Sequence, residues 1–173
     1  MKKPLAAAAF VLASATAAQA INYIPAQTVI KNPDAFPVCH TKSGLPVKYI
    51  FEFSVLWGAA SSFIDKGQAY ISFTPHFERF SAKEQVLNAE HECAHHRLGH
   101  TELNILAMSP AERIEKENDA ECEAASEVKR KYAYTRADLI AGMAWVAQKP
   151  QTQFHPSGAQ RMANALKCFD AAP

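Results

Sequence analysis

From Val47 to Val55 the chain alternates in character, with Val47, Tyr49, Phe51, Phe53 and Val55 on one face and Lys48, Ile50, Glu52 and Ser54 on the other. That two-residue period predicts a half-buried strand. A second strand is predicted from Gln68 to Thr74, where Tyr70, Ile71 and Phe73 favour extended backbone. The period then lengthens. Leu87, His91, Ala94 and Leu98 recur at helical spacing behind Ser81-Ala82-Lys83-Glu84, and Gly99 supplies a stop. The four residues from Ser81 to Glu84 form a capping box, in which hydroxyl and carboxylate each satisfy a free backbone N–H. Ser109-Pro110-Ala111-Glu112 opens a second helix, expected to run to about Lys131, with proline where no N–H is needed. A third is expected from Arg136 to Gln148, capped by Thr135 and presenting Leu139, Ile140, Met143 and Val146, and a fourth from Ser157 to Phe169. Strands followed by helices predict an α+β fold.

Between Ile21 and about Lys42, Pro25, Pro33 and Pro37 interrupt any period, and the segment reads as an irregular strap. Ahead of it, Met1, Lys2 and Lys3 precede an Ala-rich apolar run from Leu5 to Ala17 that ends at Ala18-Gln19-Ala20, small residues of the kind a signal peptidase reads. The run is shorter than the ~20 residues that span a bilayer. Residues 1–20 are therefore expected to be an export signal, leaving residues 21–173 as a periplasmic or secreted chain that does not insert into a membrane. Those 153 residues of the 173 suit one domain with a single core.

Without Lys2 and Lys3, 16 basic residues face 17 acidic ones and no run of Lys or Arg forms a stripe, so nucleic acid is a poor partner. No glycine-rich phosphate loop or internal repeat is present. Cys39, Cys93, Cys122 and Cys168 all follow the export signal, and an even count in an oxidising compartment predicts two disulfides.

His91-Glu92-Cys93-Ala94-His95 is an H-E-x-x-H arrangement inside the first predicted helix. Positions i and i+4 lie ~40° apart around a helix, so both imidazoles can meet one ion. Glu92 lies beside them, placed to take a proton from a water and pass it to a leaving amine. A catalytic zinc usually takes a third protein ligand. The metzincin pattern is excluded, because Leu98 and Thr101 stand where it requires Gly and His, and His100 qualifies only if Gly99 turns the chain back toward the metal. On the second helix Glu117 and Glu121 share a face with Ile114, Ala124 and Val128, whereas Asp119 and Glu123 align with Glu112, Lys116, Glu127 and Arg130 on a face that reads as solvated. Glu117 is taken as the third ligand, with Glu121 orienting an imidazole.

H-E-x-x-H followed by a helix carrying E-x-x-A-E resembles the gluzincin pattern, closest to the CAAX prenyl proteases and HtpX-like heat-shock proteases. His155-Pro156-Ser157-Gly158-Ala159-Gln160-Arg161 is similar to a stretch that opens the last helix in soluble relatives of that group. The resemblance spans about Ser81 to Leu166 and implies one zinc ion on His91, His95 and Glu117, with Glu92 as general base. It departs from the pattern at Glu121, where the family has Asp, and in lacking the membrane helices of the integral members. For the oxyanion of hydrolysis the candidate donors are His155, Arg161, Tyr132 and Tyr134, with His155 taken first.

Cys93 lies ~160–200° around its helix from the two histidines and is not expected to be a ligand. The expected pairing is Cys93 with Cys122 and Cys39 with Cys168, which would tie the two ligand-bearing helices together and fasten the strap to the last helix. The overall expectation is a small zincin-like metalloendopeptidase acting on a peptide or protein, with Gln68 to Thr74 as the edge strand receiving an extended substrate. The competing expectations are a non-catalytic metal-binding or structural partner protein that keeps the site, and a zinc hydrolase of cell-wall peptides or amides.

Overall fold

The computed structural model describes Ile24–Pro25 and residues 36–52, 59–104 and 107–173; the expected export signal, and Phe53, Ser54 and Val55 of the first expected strand, lie outside them. Among the described residues four strands, β1 (Ile24–Pro25), β2 (Val47–Phe51), β3 (Ala60–Asp65) and β4 (Gln68–Phe73), precede four α-helices. The helices are α1 (Ala82–Arg97), α2 (Pro110–Tyr132), α3 (Arg136–Gly142) and α4 (Gly158–Ala171). The fold is α+β. Among the described residues no helix is long and apolar enough to cross a membrane.

The sheet order is β1-β2-β4-β3. β2 and β4 run parallel, pairing Val47 with Ala69 and Phe51 with Phe73, while β3 pairs antiparallel with β4. The expectation that Gln68 to Thr74 forms an edge is thus corrected: β4 is central and β3 stands at the edge. β3 and β4 are joined by Lys66 and Gly67, both with positive φ (48° and 78°), the left-handed pair that suits a two-residue hairpin turn.

α1 is covered on two sides, which explains why buried residues are found all round it. Toward the sheet, Ala89 and Cys93 join Phe51, Ile71, Phe73, Phe77 and Phe80 in one apolar cluster. Toward the helices, Val86 and Leu87 meet Ala124, Val128, Leu139, Met143, Ala165 and Phe169. Phe73 and Phe77 stack at 4.0 Å between ring centroids and are fully buried, each contributing about 1.5–3 kcal/mol. Ser81, Ser109, Thr135 and Ser157 each complete a capping box, so every α-helix starts where local chemistry predicts.

The third helix is shorter than expected. It ends at Gly142, and a 3-10 turn over Val146–Gln148 replaces its second half. Leu139, Met143 and Val146 are buried all the same, and the break turns Trp145 onto Phe80 and His76, at ring-centroid distances of 5.1 and 5.4 Å. Packing therefore overrides helix propensity here. Gly158, first in α4, lies so close to the 3-10 turn that a Cβ would stand 2.2 Å from the carbonyl oxygen of Val146, and its N–H donates to the Lys149 carbonyl at 2.8 Å. This contact seats the loop that carries His155.

Both disulfides differ from the expected pairing. Cys39 is bonded to Cys93, and Cys122 to Cys168. The bearing that takes Cys93 off the histidine face turns it into the sheet-side core, away from α2, so it cannot reach Cys122. The strap near Cys39 is consequently fastened to α1 rather than to α4, with the Lys42 N–H donating to the His96 carbonyl at 2.9 Å. Cys122 and Cys168 join α2 to α4. Two disulfides among the described residues indicate an oxidising environment.

Candidate metal centre

α1 and α2 pack side by side and bring His91 and His95 against Glu117. The Nε2 atoms of the two histidines lie 3.2 Å apart. His91 Nε2 is 3.4 Å from Glu117 Oε2, and His95 Nε2 is 3.4 Å from Glu117 Oε1. Four atoms at zinc-ligand distances, about 2.0–2.1 Å, lie roughly 3.3 Å apart at the corners of a tetrahedron. The three residues can therefore hold a metal ion. Glu117 Oε2 is buried without a hydrogen-bond partner, an arrangement that is costly unless a cation completes it.

Burial opposes charge on His91, but the close Glu117 carboxylate and the charges of Glu121 and Glu117 outweigh it and raise its pKa. Burial likewise works to raise Glu117, yet the contacts and charge of both histidines hold its carboxyl well below the usual range. Glu121 Oε2 is 3.8 Å from His91 Nδ1, beyond a hydrogen bond, and accepts from Arg161 Nε on α4 at 2.5 Å. It supplies charge to that imidazole more than direct orientation.

Gly99, at φ 78°, does turn the chain back, and α1 is followed by a 3-10 turn over His100–Glu102. His100 returns to the other side of His95: its Nδ1 is 3.1 Å from His95 Nδ1, not among the three converging ligand atoms. Burial, with the charge of His95 adding, pushes its pKa down to about 4. His96 is structural, its Nε2 2.9 Å from the Tyr70 carbonyl and its Nδ1 2.9 Å from the Thr101 hydroxyl.

Two cavities, of about 670 and 1010 Å³, open on either side of the centre, and both are lined by Ala60, His91, Glu92, Thr152 and His155. Ala60 through Ile64, the edge strand β3, forms one wall of the larger. Trp145, Lys149 and Arg161 line the smaller; Phe154 and Arg113 line the larger, with the guanidinium 5.0 Å from the ring centroid. His155 Nε2 lies 3.6 Å from Glu117 Oε2. Burial depresses its pKa, with Glu117 opposing.

Of the other expected oxyanion donors, Arg161 reaches the cleft but is engaged by Glu121. Tyr132 and Tyr134 are elsewhere: the Tyr132 hydroxyl donates to Glu90 at 3.3 Å and that of Tyr134 to the Lys83 carbonyl at 3.3 Å. Glu127, expected on a solvated face, is buried, held by Lys131 at 2.5 Å and by Arg130. β3 was not anticipated from sequence; only Phe63 and Ile64 ahead of the Lys66-Gly67 turn hint at a strand there. The chain matches no protein-family model, no curated protein and no solved structure.

Proposed function

We propose that the protein is an exported zinc-dependent metalloendopeptidase of zincin type. The observation that carries the reading is the convergence of His91, His95 and Glu117 beside Glu92 in a cleft walled by an edge strand. Zinc suits the donor set, two imidazoles and one carboxylate, which leaves a position open. A bound divalent cation polarises a carbonyl and brings the pKa of water toward neutrality. The edge of β3 aligns an extended backbone by strand addition. Glu92 takes the proton from the attacking water and returns it to the leaving nitrogen. His155, exposed to both cavities, donates to the developing oxyanion.

The charge pattern supports the same reading. Glu92, Glu117 and Glu121 lie around Arg161, which pairs with Glu121, so Glu92 and Glu117 are the carboxylates left to face a dication. The test combines metal analysis of the purified chain with digestion of a peptide library, with and without chelator. One equivalent of zinc and chelator-sensitive cleavage are expected. Glu92→Gln is expected to retain zinc and lose roughly 10²–10⁴-fold in kcat. Zinc binding without any cleavage would favour the non-catalytic metal-binding alternative.

A further inference from the structure

His95 uses both ring nitrogens, and the two face different partners. Nε2 points to His91 and Glu117, 3.2 and 3.4 Å away. Nδ1 points to His100 Nδ1 at 3.1 Å. If Nε2 supplies a lone pair to an ion, the proton of a neutral imidazole must sit on Nδ1, and Nδ1 then needs an acceptor. His100 is built to be one. Its opposite nitrogen, Nε2, has among the described residues no hydrogen-bond partner closer than Asp119 Oδ2 at 3.9 Å, a carboxylate also paired with Lys116, so that side can carry the proton toward an acidic neighbour while Nδ1 accepts. The His100 side chain is 8% exposed, so water does not substitute readily for this contact.

His91 provides the contrast. Its Nδ1 is buried without a hydrogen-bond partner and only approaches Glu121, which Arg161 already occupies. One of the two imidazoles thus has a hydrogen-bond partner behind it, and the other is held by packing and charge.

We propose that His100 is a positioning residue that fixes His95 as an Nε2 metal ligand by accepting its Nδ1–H, in a His95–His100 pair that sets metal affinity. The inference rests on the metal-centre reading above. The left-handed turn at Gly99 is what makes it possible, because a continued helix would carry His100 away from His95. An acceptor behind a ligating imidazole fixes ring orientation and raises ligand basicity, and its loss typically costs about 10- to 100-fold in metal affinity.

The test is competitive zinc titration of the full chain and of His100→Phe and His100→Asn, with thermal unfolding of each metal-free form. The asparagine side-chain carbonyl can stand in for the imidazole acceptor. Zinc binding about 10- to 100-fold weaker in His100→Phe, largely restored in His100→Asn, is expected. Imidazole ¹⁵N spectra of the zinc form should show His95 protonated at Nδ1, and this signature should be lost in His100→Phe. Unchanged affinity in His100→Phe, or equal losses in both variants that track their metal-free stability, would each overturn this role for His100. Failure of the unaltered chain to bind zinc would instead overturn the metal centre itself.

Discussion

Glu90 and His91 are neighbours on α1, yet they enter two buried polar clusters of opposite design. Glu90 is fully buried and takes Arg97 Nη1 at 3.0 Å, Lys131 Nζ at 3.5 Å and the Tyr132 hydroxyl. Around it Glu123 and Glu127 complete the set of acids, and Arg97, Arg130 and Lys131 match them charge for charge. Around His91, three carboxylates share a cleft with one paired guanidinium and two imidazoles whose lone pairs converge. The first cluster pairs its charges through direct ion contacts, although Arg97 Nε and Nη2 have no hydrogen-bond partner among the described residues. The second instead brings two imidazoles and a carboxylate within reach of one point, where a divalent cation could be held. Buried ionisable groups therefore do not by themselves single out a candidate site; metal-ligand types converging on one point do.

The comparison is open to tests in order of size. Glu90→Ala leaves Arg97 and Lys131 without their buried partner and is expected to cost about 3–5 kcal/mol in urea unfolding, equally with and without zinc. A loss confined to the zinc form would mean that the two clusters are not independent. Zinc at 1,000 times its Kd is expected to stabilise the chain by about 4 kcal/mol. Glu117→Gln should abolish that increment, and retention of it would move the cation elsewhere.

Removing the Cys122–Cys168 bridge by paired alanine substitution is expected to cost about 2–4 kcal/mol. The same change frees α4 from α2 and so loosens Arg161 against Glu121, which zinc titration would register as weaker binding. Peptide mapping without reductant should recover Cys39 with Cys93 and Cys122 with Cys168.

The smallest effect concerns an exposed carboxylate that belongs to neither cluster. Lys83, with Thr135 at the helix cap, lowers the Asp138 pKa from 3.8 to about 2. A depressed carboxylate contributes stability that is complete above its unfolded pKa and is lost as pH falls toward the folded value. Melting temperature measured between pH 5 and pH 2 should accordingly fall less steeply for Asp138→Asn than for the unaltered chain.

Much of the site was legible because its spacing is local. His91 and His95 are one turn apart on a helix whose start Ser81 and Glu84 specify, and the burial stripe on α2 narrowed the third ligand to Glu117 or Glu121. The same stripe misplaced Glu127: a helix with one apolar face reads as solvated opposite it, but Arg97 on α1 and Lys131 and Arg130 on α2 make a buried position tolerable for that carboxylate. β4 was recognised as a strand, but its central place depends on β3, whose Ala60, Ser61 and Ser62 give little strand signal before the Lys66-Gly67 turn.

The sequence by itself determined where the helices begin, through capping hydrogen bonds that close within three residues, and which histidines share a face, through the helical period. Tertiary structure alone decided the cysteine pairs, the open strand edge and the return of His100 to His95. Those outcomes depend on which surfaces, distant along the chain, bury one another, and a periodic pattern states that a face is buried without naming what covers it.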